Sequence, residues 1–363
     1  MISLAPGARR GTIGSMKIGL RAESVLERIG LALGQVPIPL AHALGGALLA
    51  RSVMLANRLG LFETLRSGPL DPEAIAAACG THLAATRKLL DVLVSAGYLV
   101  ARGQTYALAA MSRQWMLKDS PTSLHDAILY QELESSWLDR LEGFVRTGRA
   151  LDFHATMTRD QWGLYQRAMR AIASMTAPVV ARRVRVRAGP QCLLDVGGAH
   201  GHYSVALCRR FPSLRATVLD LPQAVEHAAP LLAREGLEDR VVHRAGNALV
   251  DDLGASAFDL VLLAQLVHHF DESTNQELAQ RAARALRPGG QLVIVEPVTR
   301  ASTRSGQVIR LLDLYFAFTS RGGTWSFEDL AGWQRRAGLV PHPPIRFRRL
   351  PDFVAQVATK PLE

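Results

Sequence analysis

Between residues 190 and 300 the chain alternates short, continuously apolar runs with helical segments. Cys192–Val196, Arg215–Asp220, Val241–Ala245, Phe258–Leu263 and Gln291–Glu296 read as strands. His202–Arg210, Pro222–Glu235 and a segment from about Asp271 to Leu286 read as the intervening helices, with Arg287-Pro288-Gly289-Gly290 as a turn. Several runs are apolar at every position, which suits strands of a parallel sheet covered by helices on both faces. The pattern predicts an α/β, doubly wound, Rossmann-like domain, whose ligands gather beyond the carboxyl ends of the strands.

The chain before about residue 115 is mainly helical. Leu55–Leu65 is amphipathic, Asp71-Pro72 starts a helix that runs through Cys79, and Leu83–Ala96 forms another. Tyr98–Val100 and Tyr106–Leu108 then suggest a two-stranded wing, so the order is that of a winged helix. Its candidate recognition helix offers only Arg87 and Lys88 as adjacent cations and is otherwise apolar at Leu83, Leu89, Leu90, Val92, Leu93 and Val94. A DNA-reading helix presents a basic or amide-rich face, so this one is assigned to packing or dimerisation. With 363 residues, 48% of them hydrophobic, the chain can fill two such domains. The expected division is a loose tail at 1–20, a winged-helix dimerisation domain at 21–115, a helical linker at 116–187, and the Rossmann-like domain at 188–363.

Lysine and arginine number 42 against 32 acids, a net charge of +10, which raises the question of an anionic partner. The cations are scattered: Arg9, Arg10, Lys17 and Arg21; Arg182, Arg183, Arg185 and Arg187; Arg346, Arg348 and Arg349. They read as solvated faces, and no nucleic-acid partner is expected. Cys79, Cys192 and Cys208 have no paired spacing, which points to a reducing, cytoplasmic setting and no structural metal. The charge-free stretch Gly30–Ala50 contains Pro37, Pro39, Gly45 and Gly46 and is expected as a buried helical segment rather than a membrane span.

The first strand of the second half runs into Asp195-Val196-Gly197-Gly198-Ala199-His200-Gly201. A dinucleotide fingerprint would need glycine also where Ala199 and His202 stand, so a pyrophosphate cradle is not indicated. Asp220 ends the second strand, 25 residues after Asp195. Taken alone it reads equally as an acceptor for two ribose hydroxyls or as a helix N-cap before Leu221-Pro222. Combined with the glycine loop and with Gly246-Asn247-Ala248 at the third strand end, it describes a nucleoside site.

On LLDVGGAHG at 193–201, VLDLP at 218–222, HRAGNAL at 243–249, FDLVLLAQLVHHF at 258–270, LRPGGQLVIVEP at 286–297 and GGTWS at 322–326, residues from about 40 to 360 resemble an S-adenosylmethionine-dependent O-methyltransferase of the caffeic-acid type, as found in bacterial polyketide and aromatic-metabolite pathways. The resemblance implies a homodimer formed through the N-terminal domain. It implies S-adenosylmethionine as cofactor and S-adenosylhomocysteine as product. Cofactor contacts are expected from Gly197, Gly198, Gly201, Asp220, Leu221, Gly246, Asn247, Ala248 and Gln265. The catalytic base is expected at His268, which on its own could equally be a structural strand-end histidine. Glu296 is expected to orient it, or else to act as a cap or solvated acid. Asp271 is read as the N-cap of the next helix.

Trp162, Tyr165, Met169 and Ile172 recur on one helical face and are either plain core or a substrate wall. With Trp137, Phe153, Met157, His269, Phe316, Phe318 and Trp325 they make up the expected acceptor pocket, suited to a small aromatic or polyketide-derived hydroxyl compound. Three positions depart from the family pattern. Asn247 stands where an acid is frequent, Ala264 where a longer polar side chain is frequent, and Thr324-Trp325 follow Gly322-Gly323 where a second acid is found in the plant-type pattern. They keep open a C-methyltransferase, or a nonmethylating cofactor-binding homologue acting as decarboxylase, hydroxylase or rearrangement catalyst. A winged-helix transcriptional regulator with the same nucleoside as effector is the reading from a different class.

Overall fold

The computed structural model describes residues 18–185, 191–299, 306–347 and 352–362. The expected tail therefore lies outside the described residues up to Lys17, as do Arg187, Arg348 and Arg349.

Helix α1 (Val25–Ala32) is started by Ser24, whose hydroxyl accepts from the Glu27 N–H while the Glu27 carboxylate accepts from the Ser24 N–H. An almost unbroken helical stretch, Ile38–Arg58, follows and ends in α2 (Gly46–Arg58). Asp71 caps α3 (Pro72–Cys79) at the Ala74 N–H, 2.7 Å away, and α4 (Leu83–Ser95) leads into the antiparallel wing β1 (Leu99–Arg102) and β2 (Thr105–Leu108). Val53, Leu61, Phe62, Leu65, Ile75, Leu90 and Leu93 form the core beneath them.

The expectation of a buried Gly30–Ala50 segment is corrected. Leu40, Leu44, Leu48 and Leu49 are 60%, 56%, 59% and 42% exposed, and burial in α2 begins only at Val53. Among the described residues nothing else in the single chain covers these leucines. Ile38–Arg58 is long and apolar enough, by length and composition alone, to cross a membrane.

Helices α5 (His125–Ser135) and α6 (Arg159–Arg183) join the two halves. Thr158 and Gln161 close a capping box at the start of α6, which carries Trp162, Tyr165, Met169 and Ile172 as expected. The sheet contains β3 (Gln191–Val196), β4 (Leu214–Asp220), β5 (Val241–Ala245), β6 (Phe258–Ala264), β7 (Leu286–Thr299), β8 (Trp325–Ser326), β9 (Val340–Pro341), β10 (Ile345–Arg346) and β11 (Phe353–Thr359). Its main order is β10-β11-β7-β6-β3-β4-β5; β3 to β7 are parallel and β11 is antiparallel to β7. Helices α7 (His202–Arg210), α8 (Pro222–Ala233), α9 (Glu272–Ala285), α10 (Gln307–Thr319) and α11 (Phe327–Arg336) complete the layers.

Successive side chains of each strand enter opposite cores. Leu193, Leu262 and Val293 join Ala177 and Val180 of α6, whereas Leu194, Val261, Leu263 and Ile294 face Leu278, Ala282 and Trp333. Burial on both faces is why these strands read as unbroken apolar runs, and each fully buried Leu, Val or Ile contributes about 1.5–3 kcal/mol. The expected turn at Arg287–Gly290 is absorbed into β7. The ladder jumps from Phe258 opposite Leu286 to Leu260 opposite Gln291, leaving the intervening residues as a bulge. Because β4 and β5 lie on one side of β3 and β6 on the other, the chain reverses direction across the sheet at β3 and β6. A crevice opens at such a point.

Candidate active site

Gly197 leaves β3 with φ 65°, a left-handed conformation that strains any side chain, and a Cβ there would lie 2.6 Å from Leu266 Cδ1, so that leucine would have to shift. Ala199 follows at φ 47° and is held from two sides: its N–H donates to Asp220 Oδ2 at 2.7 Å, and His243 Nε2 donates to its carbonyl at 2.9 Å. The other oxygen of Asp220 accepts from the Leu221 N–H at 2.7 Å. Of the two readings of Asp220, the helix cap is set aside, since Leu221 occupies the cap position of α8 without a side-chain bond. Burial pushes the Asp220 carboxyl up to about 6 against the two N–H groups that favour its ionised form.

A cavity lies over these strand ends. Its wall includes Gly197, Asp220, Leu221, Gly246, Asn247, Ala248 and Gln265, with Trp162 and Gln166 from α6. Asn247 Oδ1 is already engaged by the Leu249 N–H at 3.0 Å. Gln166 is fully buried and neither end of its amide has a partner, so this wall holds a donor and an acceptor with nothing to bond. An acid able to accept from two hydroxyls, close backbone access and an orphaned amide fit an adenosine-type cofactor. Gly198 faces a second cavity, and the place of its missing side chain is filled by the Asp195 carboxyl. Gly201 lies behind the loop, at the start of α7 facing Val218 and Leu232, and lines neither cavity.

The second cavity shares Tyr165, Gly197, Ala199, Gln265 and His269 with the first. His268 lines it from the short helical turn after β6. Its Nδ1 lies 2.7 Å from Glu296 Oε2, and Glu296 Oε1 accepts from the N–H groups of Leu266 at 2.7 Å and Val267 at 2.9 Å. A carboxylate can only accept, so Nδ1 carries the hydrogen and Nε2 keeps its lone pair. The His268 ring stacks on Phe316 at 3.9 Å and meets the tilted ring of His269 at 4.3 Å. Behind it, the Gly323 N–H donates to the His268 carbonyl at 3.1 Å, and a Cβ on Gly322 would fall on that same oxygen.

The structure brings Phe153, Tyr165, Met169, His269 and Phe316 to the wall of this cavity and Trp162 to the first. Four other expected pocket residues lie elsewhere. Trp137 packs behind Phe153 and Tyr130, at ring distances of 5.3 and 6.1 Å. Met157 is on neither wall, and Phe318 is buried against Phe144 at 5.9 Å. Trp325 meets Trp333 of the core edge to face at 5.1 Å and donates from Nε1 to the Val267 carbonyl at 3.1 Å, so it supports the turn that carries His268. Thr324, its neighbour, uses its N–H and hydroxyl on Asp313 Oδ1 at 2.7 and 2.9 Å.

Three polar wall residues, His154, Glu134 and Tyr315, had no signal in the sequence. His154 stacks on Trp162 at 5.5 Å and meets the His269 ring at 4.9 Å. Burial, with the neighbouring His268 ring adding to it, lowers it to about 4. His269 is likewise lowered well below the usual imidazole range by burial and by its two histidine neighbours, while its Nδ1 meets Ser320 Oγ at 2.8 Å. Both rings are therefore neutral beside His268 at pH 7. Glu134, on α5, accepts from the Tyr315 hydroxyl and the Gln131 amide, and burial pushes it up to about 7. Tyr315 sits next to Phe316 on α10, one side chain from the ring of His268.

Residues 130–339 match the model of the O-methyltransferase domain, and residues 41–118 that of the O-methyltransferase dimerisation domain. The chain is 27% identical over 310 residues to the mitomycin biosynthesis 6-O-methyltransferase of Streptomyces lavendulae, covering 82% of this chain and 87% of that one. It is 26% identical over 311 residues to the 3-hydroxy-5-methyl-1-naphthoate 3-O-methyltransferase of Streptomyces sahachiroi, covering 82% and 88%. Human N-acetylserotonin methyltransferase, solved in complex with S-adenosylmethionine, superposes with a TM-score of 0.80 over 94% of this chain and 99% of that one, at 21% identity.

Proposed function

The chain belongs to the O-methyltransferases that carry a dimerisation domain, and from that premise we propose that it methylates a hydroxyl of a small aromatic or polyketide-derived metabolite with His268 as general base. The observation that carries the reading is the Glu296–His268 pair, its free Nε2 placed in an aromatic cavity that shares a wall with the nucleoside cavity.

When bound, S-adenosylmethionine supplies an electrophilic methyl group on a sulfonium. Asp220 accepts from the ribose hydroxyls. Gly197, Leu221, Gly246, Asn247, Ala248 and Gln265 enclose the rest, and Gly198 and Gly201 contribute through the backbone turn they allow. Phe153, Tyr165, Met169 and Phe316 hold a planar acceptor and exclude water. The acceptor's hydroxyl proton passes to His268 Nε2, and Glu296 stabilises the imidazolium through Nδ1–H. An ordinary imidazole lies about 3.5 pKa units below a phenol, so complete prior removal would cost roughly 5 kcal/mol. The proton therefore leaves as the oxygen forms its new bond.

The homodimer is formed by the N-terminal domain, and the exposed leucines of Ile38–Arg58, which begin the matched dimerisation segment, are covered by the second copy. The enzyme acts in the cytoplasm on a free small molecule, in keeping with three unpaired thiols at Cys79, Cys192 and Cys208. The test is product mass and position of the new methyl group with phenolic acceptors. Wild type yields a methyl ether, and His268→Ala, still binding the cofactor, loses about 10²–10⁴ in rate. Methylation by that variant at the wild-type rate overturns the role of His268.

A further inference from the structure

The wall of the acceptor cavity carries one carboxyl, Glu134, and among the described residues no lysine or arginine. Glu134 is only 5% exposed. Its oxygens take one protein donor each, the Tyr315 hydroxyl on Oε1 and the Gln131 amide on Oε2. An ionised carboxylate accepts about four hydrogen bonds, more than these neighbours fill, so Glu134 keeps capacity for a donor on a ligand. The buried Tyr130 hydroxyl lies against the same carboxyl and is a third donor available to it. The groups around the acid are the phenols of Tyr130, Tyr165 and Tyr315; burial raises all three above the usual phenol range, so they stay neutral and add no second negative charge, and a phenol carries no positive charge in either form.

A buried acid without a cation stabilises a donor and repels an anion, because a carboxylate brought beside it meets like charge in a poorly solvated wall. The tie through α10 sets its distance from the chemistry: Phe316 lies against His268 while its neighbour Tyr315 holds Glu134. Resting on the reading of this cavity as the acceptor site, we propose that Glu134 selects acceptors that carry a hydrogen-bond donor away from the methylated oxygen, an amide or amine N–H or a second hydroxyl, and rejects those with a carboxylate there.

The test uses the full-length dimer saturated with S-adenosylhomocysteine and a matched pair of ligands, a hydroxynaphthalene carboxamide and the corresponding hydroxynaphthoate. Binding is measured by calorimetry at about pH 8.5, where a carboxyl of pKa about 7 is ionised. The carboxamide is expected to bind at least ~10-fold more tightly, and Glu134→Gln, which keeps the shape and the Tyr315 bond, to bring the ratio within about threefold. Unchanged affinity of the variant for S-adenosylhomocysteine shows that it is folded. Equal binding of the pair, a preferred carboxylate, failure of both to bind, or a ratio that E134Q leaves unchanged overturns the proposal. Methyl transfer to the carboxamide is assayed separately. Its absence alongside the expected binding ratio would sink the reading of the reaction and leave the specificity site standing.

Discussion

Glu296 holds His268 twice over: Oε2 meets the imidazole Nδ1 at 2.7 Å, and Oε1 accepts the N–H groups of Leu266 and Val267 that open the turn bearing that histidine. One carboxylate from β7 thus sets the ring's tautomer and the backbone beneath it. In Glu296→Gln the amide oxygen keeps the two backbone bonds and the NH₂ turns to Nδ1. That ring nitrogen must then accept, and the hydrogen moves to Nε2. Methyl transfer is expected to fall about 10²–10⁴-fold with S-adenosylhomocysteine affinity unchanged. A rate within a few-fold of wild type would show that the tautomer does not matter.

Asp220 joins the glycine loop to the start of α8 as well as facing the nucleoside cavity. Asp220→Ala strands the Ala199 and Leu221 N–H groups, and affinity for S-adenosylmethionine and S-adenosylhomocysteine should drop at least ~10-fold by calorimetry. The carboxyl sits at about 6. Because the ionised form accepts more bonds, affinity should fall as pH falls through that value. The folded pKa is raised above the ordinary one, so this group alone makes the apo fold less stable as pH rises from about 4 to about 6. Affinity flat across that range would mean the ribose is bound elsewhere.

Gly322 packs directly on the His268 carbonyl. Gly322→Ala must push the two segments apart and shift the base. A displacement of about 1 Å is enough to cost on the order of 10²-fold in rate. Cofactor affinity should hold, since Gly322 lines neither cavity. Equal losses in rate and in cofactor binding would instead indicate general unfolding.

Leu44 and Leu48 are exposed on the helical stretch ahead of α2 and within it. Leu48→Asp places a charge in the proposed subunit contact, and light scattering should read a monomer where wild type reads a dimer. A dimer that survives this change and the double change with Leu44→Asp would place the subunit contact on another face.

Much of the fold follows from one-dimensional regularities. Parallel strands buried on both sides must be apolar throughout, so Phe258–Ala264 and its neighbours are visible as runs; Asp71-Pro72 and Asp271 mark helix starts by local bonding that needs no tertiary partner. The strand ends then place Gly197, Asp220, Gly246 and His268 on one side of the sheet before any packing is known. Tertiary structure decided the rest. Glu134 looks like a solvent-facing acid on an ordinary helix, and only the docking of α10 buries it against Tyr315, 181 residues away. His154 meets His269, and Trp325 turns into the core under Val267 rather than to the acceptor, for the same reason. Periodicity specifies which face of an element is apolar, but not which other element covers it. Thus Leu40, Leu44, Leu48 and Leu49 read as core residues in the sequence and lie on the surface of the single folded chain.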